Sequence, residues 1–367
     1  MVFLPKPMKY AELQVTSNFS FLRGGSHPDE LAITAAALGL EAVAITDRNS
    51  LAGVVRAHTG AKTAGIRLVV GARLDLQVKA VEGAEPSLNL LCFPADRAAY
   101  GRLSKLLTMG RRRAPKGDCW ITLDDVFDHD EGQIFIILPS EGSDEAFVNQ
   151  IAELGRRWRG NCYLAGNYLY SGNDRCRLTH LSALAQMAAM PLIATNDVYY
   201  HTQELRPLQD VLVCIREHCI LAEAGFRLKA NTERHLKSAE EMARLFADYP
   251  DAVARTVELV ERCRFSLDEL RYEYPAEPVP EGRTAQQELE QLTWIGARER
   301  YGAHIDPQVC DLLAHELQLI GELDYAPYFL TVHDIVRFAR DKKILCCLLY
   351  TSPSPRHHST SRMPSSA

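Results

Sequence analysis

The chain has 367 residues, which is enough for one large domain or two smaller ones. Its 47% hydrophobic and 24% charged residues are ordinary for a soluble globular protein. The formal net charge of −6 excludes a globally basic nucleic-acid-binding protein, so any contact with DNA must be a local patch. The ten cysteines form no C-x-x-C pair, and there is no secretory signal or membrane-length apolar run. These features predict reduced thiols and a cytoplasmic protein without a membrane partner.

The first 75 residues alternate between predicted strands and helices. Residues 12–16, 42–46 and 67–70 have the apolar pattern of buried strands, and Asp47 follows the second of them. The sequence from Ser26 to Asp29 resembles a capping box with a proline in the first turn, so it predicts a helix start. This βα alternation favours a parallel sheet or barrel whose site lies at the carboxyl ends of the strands.

The alternation continues to about residue 226 and then gives way to helices. Further strands are predicted at 88–93, 133–138, 162–170 and 191–194, and helices at 144–158, 175–189, 208–215, 238–247 and 252–263. The Pro-rich residues 272–283 predict a linker, which places a domain at 8–271. Amphipathic helices follow within residues 284–346. Residues 347–367 are rich in Ser and Pro, and we expect a disordered, non-native tail there.

Several long motifs carry a family resemblance. They are, in chain order, ELQVTSNFSFLRGGSHPDEL, AITDRNSLAGVVRAH, VVGA, LCFPADRAAYGRLSKLLTMGRRRAPKGD, PLIATNDVYY, RCRFSLDELRYEYPAEP and YAPYFLTVHDIVRFAR. Over roughly residues 8–346 the chain resembles the start of bacterial C-family DNA polymerases of the DnaE type, and most of all their error-prone branch. The resemblance implies an α/β fold: a PHP-type distorted βα barrel, followed by an α-helical segment that opens the polymerase core.

Barrels of this family that hydrolyse phosphate esters bind two or three metal ions through clustered His, Asp and Glu. The family's ligand motifs are H-x-H on the first strand, T-D-H, G-x-E and N-D-x-H. The matching positions here are Gln14, Thr16, Asp47, Arg48, Arg73, Asp197 and Tyr199. Neutral amide and hydroxyl oxygens are weak ligands for a transition metal, and the two arginines would repel one. The resemblance therefore implies a vestigial site, and no metal is expected in this fragment.

The loss of ligands coincides with a gain of guanidinium groups. We expect Arg73, together with Arg48, to pair with Asp47 or Asp197 and so to take over the charge-neutralising role of the metal. The alternative is that both arginines point to solvent.

Three histidines and one asparagine lie close to these motifs in the sequence. His27, His58 and His201 lack metal-site spacing and are interpreted as structural or surface residues. Asn196 is expected to cap or turn the chain rather than to react.

Two basic runs are weak candidates for DNA contact. Arg111, Arg112 and Arg113 form part of one run, and Arg337, Arg340, Lys342 and Lys343 form the other. Clustered cations neutralise phosphates, but a solvated loop or a helix carboxyl terminus explains them equally well.

The resemblance implies a DNA-directed DNA polymerase for damage-induced mutagenesis and translesion synthesis. In that family the catalytic carboxylates follow a glycine-rich loop that would lie beyond residue 346, so no residue of this fragment is expected to be catalytic. For the full-length protein the implied cofactor is Mg²⁺. The implied partners are template-primer DNA, dNTPs, a sliding clamp and mutagenesis accessory proteins. Two alternatives remain, namely a metal-dependent phosphoesterase or exonuclease and a non-catalytic scaffold.

Overall fold

The structure, a computed structural model, describes residues 9–77, 86–139, 145–270, 279–280 and 282–344. The chain divides into two compact units, residues 1–270 and 271–367. Most of the predicted linker and the whole predicted tail lie outside the described residues, so both stay predictions. None of the described helices is both long and apolar enough to cross a bilayer.

The first unit combines strands and helices in alternation. Its described strands are β1 (Ala11–Glu12), β2 (Ala42–Ile45), β3 (Arg67–Val70), β4 (Ala72–Gln77), β5 (Pro86–Pro94), β6 (Ile121–Thr122), β7 (Gln133–Leu138), β8 (Cys162–Gly166) and β9 (Leu192–Ala194). Its described α-helices are α1 (Pro28–Ala37), α2 (Val54–Ala64), α3 (Arg97–Arg113), α4 (Leu123–Phe127), α5 (Glu145–Arg157), α6 (Asp174–Met187), α7 (Arg206–Arg216), α8 (Ala239–Leu245) and α9 (Pro250–Arg262). Short 3₁₀ turns occur at Gln203–Leu205, Leu221–Glu223, Gly225–Arg227 and Leu267–Glu269.

The strands of this unit close into a ring. β1, β2 and β3 are parallel neighbours, and β4 continues β3 after Gly71. β5 is antiparallel to both β4 and β7, while β7, β8 and β9 are parallel. The ring closes where Val15 pairs with Val198, and there the Val198 N–H donates to the Gln14 carbonyl at 2.8 Å. The predicted α/β barrel is confirmed, and the reversed direction of β5 is its distortion.

Side chains alternate between the inside and the outside of the ring, as the period of a strand requires. One buried cluster joins alternate strand residues, such as Ala11, Phe93 and Ile136, to Leu259 of α9. The remaining strand residues pack with the surrounding helices in a second, larger cluster. Helix α9 lies at the amino ends of the strands, where the Ala11 N–H donates to the Thr256 hydroxyl at 3.1 Å. The carboxyl ends of the strands are therefore left for a site at the opposite end of the barrel.

Two predicted element boundaries are wrong for a local reason. β1 is shorter than the predicted 12–16 strand because the Gln14 N–H donates to the Glu12 carboxylate at 2.9 Å instead of to a neighbouring strand. The capping residue of α1 is His27, whose N–H donates to the Glu30 carboxylate at 2.8 Å. Ser26 was predicted for that role, but its hydroxyl accepts from the His201 N–H at 2.9 Å.

The second unit is helical where it is described. Helices α10 (Ala285–Tyr301), α11 (Pro307–Glu322) and α12 (Ala326–Asp341) lie within residues 284–346, where helices were predicted. They pack through a small apolar cluster of Leu289, Leu317, Ala326 and Leu330.

Candidate functional site

The polar side chains that follow the strand ends gather at one end of the barrel, which we call the mouth. They come from Gln14 and Thr16 after β1, Asp47 and Arg48 after β2, Arg73 and Asp75 in β4, and Asp197 and Tyr199 after β9. Backbone hydrogen bonds hold these segments side by side. The Thr16 N–H donates to the Val198 carbonyl at 2.8 Å, and the Arg73 N–H donates to the Asp47 carbonyl at 3.0 Å.

Asp47 is held by hydrogen-bond donors rather than by a cation. One carboxylate oxygen accepts from the Ser17 N–H at 2.9 Å and the Ser20 hydroxyl at 2.7 Å, and the other accepts from the Ser17 hydroxyl at 2.7 Å. Burial raises the pKa of Asp47 above its ordinary value, while the hydrogen bonds from Ser20 and Ser17 oppose that shift. A side chain at Gly53 would place its Cβ 2.8 Å from the same carboxylate, so the pocket around Asp47 is closed.

The serines belong to a loop, residues 17–26, that folds over the mouth. The Asn18 N–H donates to the Ser26 carbonyl at 2.9 Å, and the Gly25 N–H donates to the Tyr199 carbonyl at 2.7 Å. At Gly24 a Cβ atom would come within 2.2 Å of the Ser17 carbonyl, so only glycine allows this close approach. The loop thus delivers its hydroxyl groups to Asp47 in a fixed geometry.

The arginines at the mouth pair with a different aspartate from the expected ones. Both Arg48 and Arg73 contact Asp75, the latter with 2.8 Å between Nε and Oδ1. Burial alone would lower the pKa of Arg73, but the charge of Asp75 and hydrogen bonding to Asp75 and Tyr199 raise it. The expected pairing with Asp47 or Asp197 is therefore wrong, and so is the alternative that both arginines face solvent. Asp75 lies two residues beyond Arg73, on the same face of β4, and binds both guanidinium groups.

Asp197 is held from two other directions. Its Oδ1 accepts from the Gln14 amide at 2.7 Å, and its Oδ2 forms an ion pair with Arg234. The Gln14 carbonyl oxygen accepts from the Thr195 hydroxyl at 2.9 Å, so both ends of the amide are used. Arg234 lies in the segment before α8. No sequence pattern indicated that this segment returns to the mouth. The ion pair therefore joins the end of β9 to a segment outside the ring.

The same segment contributes further polar contacts below the mouth. The Asn196 amide donates to the His235 carbonyl at 2.6 Å, and the Lys237 ammonium donates to the Asn196 side-chain oxygen at 3.2 Å. Asn196 therefore cross-links the end of β9 to the segment before α8 and does not cap or turn the chain.

Glu12, which the sequence reasoning did not single out, is fully buried and accepts from the Tyr10 hydroxyl at 2.6 Å. Burial raises the pKa of Glu12.

The three histidines have structural partners. The His27 ring contacts the Asn18 amide at 2.7 Å and the His201 ring contacts the Ser26 hydroxyl at 2.7 Å. His58 contacts Asp268 at 3.2 Å on the surface. None of these contacts brings an imidazole to a carboxylate of the mouth.

The donor set of the mouth does not fit the metal centre that the family implies. Gln14 already bonds at both ends of its amide, Asp47 accepts three donors, and Asp197 carries a guanidinium partner. Arg48 and Arg73 place two cations where ligands would stand. Within the described part of the chain, no three His, Cys, Asp or Glu side chains gather where they could hold a metal ion.

The two basic runs differ in how exposed their side chains are and in which partners they have within the protein. Arg113 pairs with Asp125 at 2.7 and 3.1 Å, and Arg111 donates to the Asn49 carbonyl beside the mouth at 2.9 Å. In the second unit Arg337 pairs with Asp334 at 3.1 Å, and the cations of this run are exposed around the end of α12: Arg337, Arg340, Lys342 and Lys343. Whether either run contacts DNA stays a prediction.

Known proteins resemble the chain along nearly its whole length. Residues 12–255 match the PHP domain family, and residues 287–348 match the bacterial DNA polymerase III alpha NTPase domain. An error-prone DNA polymerase of Caulobacter vibrioides is 52% identical over 366 residues, which cover 96% of this chain and 33% of that protein. An error-prone DNA polymerase of a Bradyrhizobium species is 49% identical over 350 residues, which cover 93% and 29% of the two chains.

The chain thus spans about a third of the length of the curated relatives it matches. Among solved structures, an amidohydrolase from Chromobacterium violaceum aligns with 52% of this chain and 87% of its own at 15% identity. The TM-score of this alignment is 0.36.

Proposed function

The chain belongs to the PHP domain family, and from that premise we propose that it is the amino-terminal part of an error-prone DNA polymerase. One observation carries the proposal. Relatives of that name align with 96% and 93% of the chain, through both the barrel and the helices that follow it. A free-standing hydrolase of the family would not need the helices α10 to α12.

In this proposal the barrel is a non-catalytic brace for the polymerase core. The arginine–carboxylate contacts of the mouth support that role, because they join strand ends without a bound metal. Asp75 draws Arg48 and Arg73 together, and Asp197 draws in Arg234 from outside the ring. Such pairs give rigidity and geometry rather than chemistry. The alternative of a phosphoesterase or exonuclease would need ligands at the positions that these arginines occupy.

Synthesis itself belongs to the part of the polymerase beyond this chain. Paired carboxylates there would hold two Mg²⁺ ions, one at the attacking 3′ oxygen and one at the triphosphate. The substrates are template-primer DNA and dNTPs, and the task is translesion synthesis after DNA damage. By family resemblance the whole polymerase is cytoplasmic and works with a sliding clamp and mutagenesis accessory proteins.

Primer extension tests the polymerase assignment. The full-length protein that contains this chain is supplied with Mg²⁺, dNTPs and a template carrying an abasic site, and an undamaged template serves as the control. We expect extension on both templates by the full-length protein and none by residues 1–367 alone. Failure of the full-length protein to extend either template would contradict the assignment.

Metal analysis tests whether the barrel lacks the bound metal and the phosphate-ester hydrolysis of its hydrolytic relatives. The purified chain is measured for zinc, manganese and iron, and for hydrolysis of a 3′-labelled oligonucleotide in their presence. We expect no stoichiometric metal and no hydrolysis. Stoichiometric metal together with hydrolysis that Asp47→Asn abolishes would establish the exonuclease alternative instead.

A further inference from the structure

The loop over the mouth places a third arginine beside the two that pair with Asp75. The backbone N–H of Arg23 donates to the Ser20 carbonyl at 2.9 Å, and the backbone N–H of Arg48 donates to the hydroxyl of the same serine at 2.9 Å. Arg23 and Arg48 are therefore attached to one residue. Leu22, which lies between Ser20 and Arg23, has a left-handed φ of 57°. This conformation is uncommon for a side chain of its size, and it sets the direction of the loop.

The guanidinium group of Arg216, at the end of α7, reaches the same loop. Arg216 donates from Nη1 to the Leu22 carbonyl at 3.0 Å, and that carbonyl belongs to the peptide that leads into Arg23. Burial comes first among the causes that lower the pKa of Arg23 to about 10, and repulsion from Arg48 and Arg216 follows. The guanidinium groups of Arg23, Arg48 and Arg216 are thus close enough to repel one another, while Asp75 and Tyr199 partly oppose the lowering of the Arg23 pKa.

The charges there do not balance. Asp75 is shared between Arg48 and Arg73, which leaves one positive charge, and Arg216 is matched by Glu217 at 2.9 Å. In the described part of the chain, the half-buried Arg23 side chain makes no hydrogen bond or ion pair. Among the described residues, Asp47 offsets that charge although its oxygens are taken by the serines, so the surplus is the one positive charge of Arg23. Three arginines with a surplus of positive charge form a fork that suits the oxygens of a phosphate group.

We propose that Arg23, Arg48 and Arg216 form a phosphate-binding site for the backbone of a single DNA strand at the barrel mouth. The proposal rests on the proposed polymerase function, which brings single-stranded template to the protein. Phe21 favours a strand over a free anion. It lies two residues before Arg23 and is 82% exposed, as a base-stacking side chain must be.

Binding of a fluorescent oligothymidylate to the whole 367-residue chain tests this site. Arg23→Gln removes the arginine that lacks a partner, and its thermal unfolding should match that of the unsubstituted chain. Arg159→Gln is the control, since Arg159 is an exposed arginine just before the amino end of β8. We expect Arg23→Gln to weaken binding roughly tenfold and to reduce the salt dependence by about one counterion. Equal affinities for Arg23→Gln and Arg159→Gln would overturn the proposal.

Phe21→Ala distinguishes a strand from a small anion. We expect it to weaken oligothymidylate binding about fivefold or more, because a stacked base is lost. Inorganic pyrophosphate, a probe with no base, should bind Phe21→Ala and the unsubstituted chain alike. If Phe21→Ala leaves oligonucleotide affinity unchanged while pyrophosphate displaces the strand, the site takes a free anion and the strand assignment is wrong. These assays measure binding alone, so a failure of primer extension would not mimic their outcomes.

Discussion

The two sides of the barrel mouth stabilise a buried carboxylate in different ways. After β2, Asp47 is surrounded by hydroxyl and amide donors, and no ion pair to it is found among the described residues. After β9, Asp197 meets the guanidinium group of Arg234 as well as an amide. Donors of zero net charge hold an anion but leave its charge in place, whereas an arginine cancels it. The β9 side is therefore the more costly one to break by a single substitution.

The largest effect is expected on the β9 side. Arg234→Met should lower the free energy of unfolding by about 3–5 kcal/mol, because it leaves the buried Asp197 carboxylate without its counter-charge. Equilibrium urea unfolding followed through tryptophan fluorescence measures this change, since two of the three tryptophans, Trp120 and Trp158, lie in the first unit.

The double variant Arg234→Met with Asp197→Asn provides the control. Removing both charges should recover much of the lost stability, so the two substitutions should not be additive. Strict additivity would mean that Arg234 stabilises the barrel through packing, for instance over the Tyr199 ring at 5.5 Å, and not through Asp197.

How much of this site follows from the sequence depends on where each partner lies along the chain. The positions of Gln14, Asp47 and Asp197 at one mouth followed from the βα alternation, since carboxyl ends of parallel strands meet at one end. The partners did not follow. Arg234 comes from an irregular segment without hydrophobic period, and Ser20 from a loop whose path depends on the close approach at Gly24. Periodicity predicts elements and their ends, but it carries no information about which loop returns to them.

A smaller effect is expected at the shared aspartate. Asp75→Asn should cost about 2–3 kcal/mol, since Arg48 and Arg73 would both lose their carboxylate while staying partly accessible to water. Asp268→Asn is the matched control, because Asp268 pairs with Lys62 on the exposed surface and should leave the unfolding free energy unchanged. Equal effects of the two substitutions would show that Asp75 is solvated in solution.

The free energy of unfolding should be less sensitive still to a substitution on the β2 side of the mouth. Ser20→Ala removes one of three donors to Asp47 and the acceptor of the Arg48 N–H, so we expect a loss of about 1–2 kcal/mol. Thr63→Ala is the control, since its exposed hydroxyl bonds only within α2 at 3.0 Å. A loss as large as that of Arg234→Met would contradict the distinction between the two sides.

The smallest effect is a difference in pH dependence. The folded-state pKa of Asp47 is raised above 3.8, chiefly by burial, so its ionisation costs stability. Its contribution therefore falls as the pH rises from about 3.8 through the raised pKa. Asp125 shows the opposite behaviour. Burial would raise its pKa, but hydrogen bonds from Thr122 and Arg113 lower it, so its contribution is complete above about pH 3.8 and is lost as the pH falls through the lowered pKa.

Asp47→Asn and Asp125→Asn should therefore change the pH slope of stability in opposite directions. Urea unfolding between about pH 3 and pH 6 measures both slopes, and each variant is compared with the unsubstituted chain at the same pH. Relative to that chain, Asp47→Asn should become more stable as the pH rises, and Asp125→Asn less stable. The absolute losses of hydrogen bonds cancel in this comparison because they do not change with pH. Slopes of the same sign would mean that the three donors around Asp47 outweigh its burial, and that hydroxyl groups neutralise a buried carboxylate as fully as an arginine does.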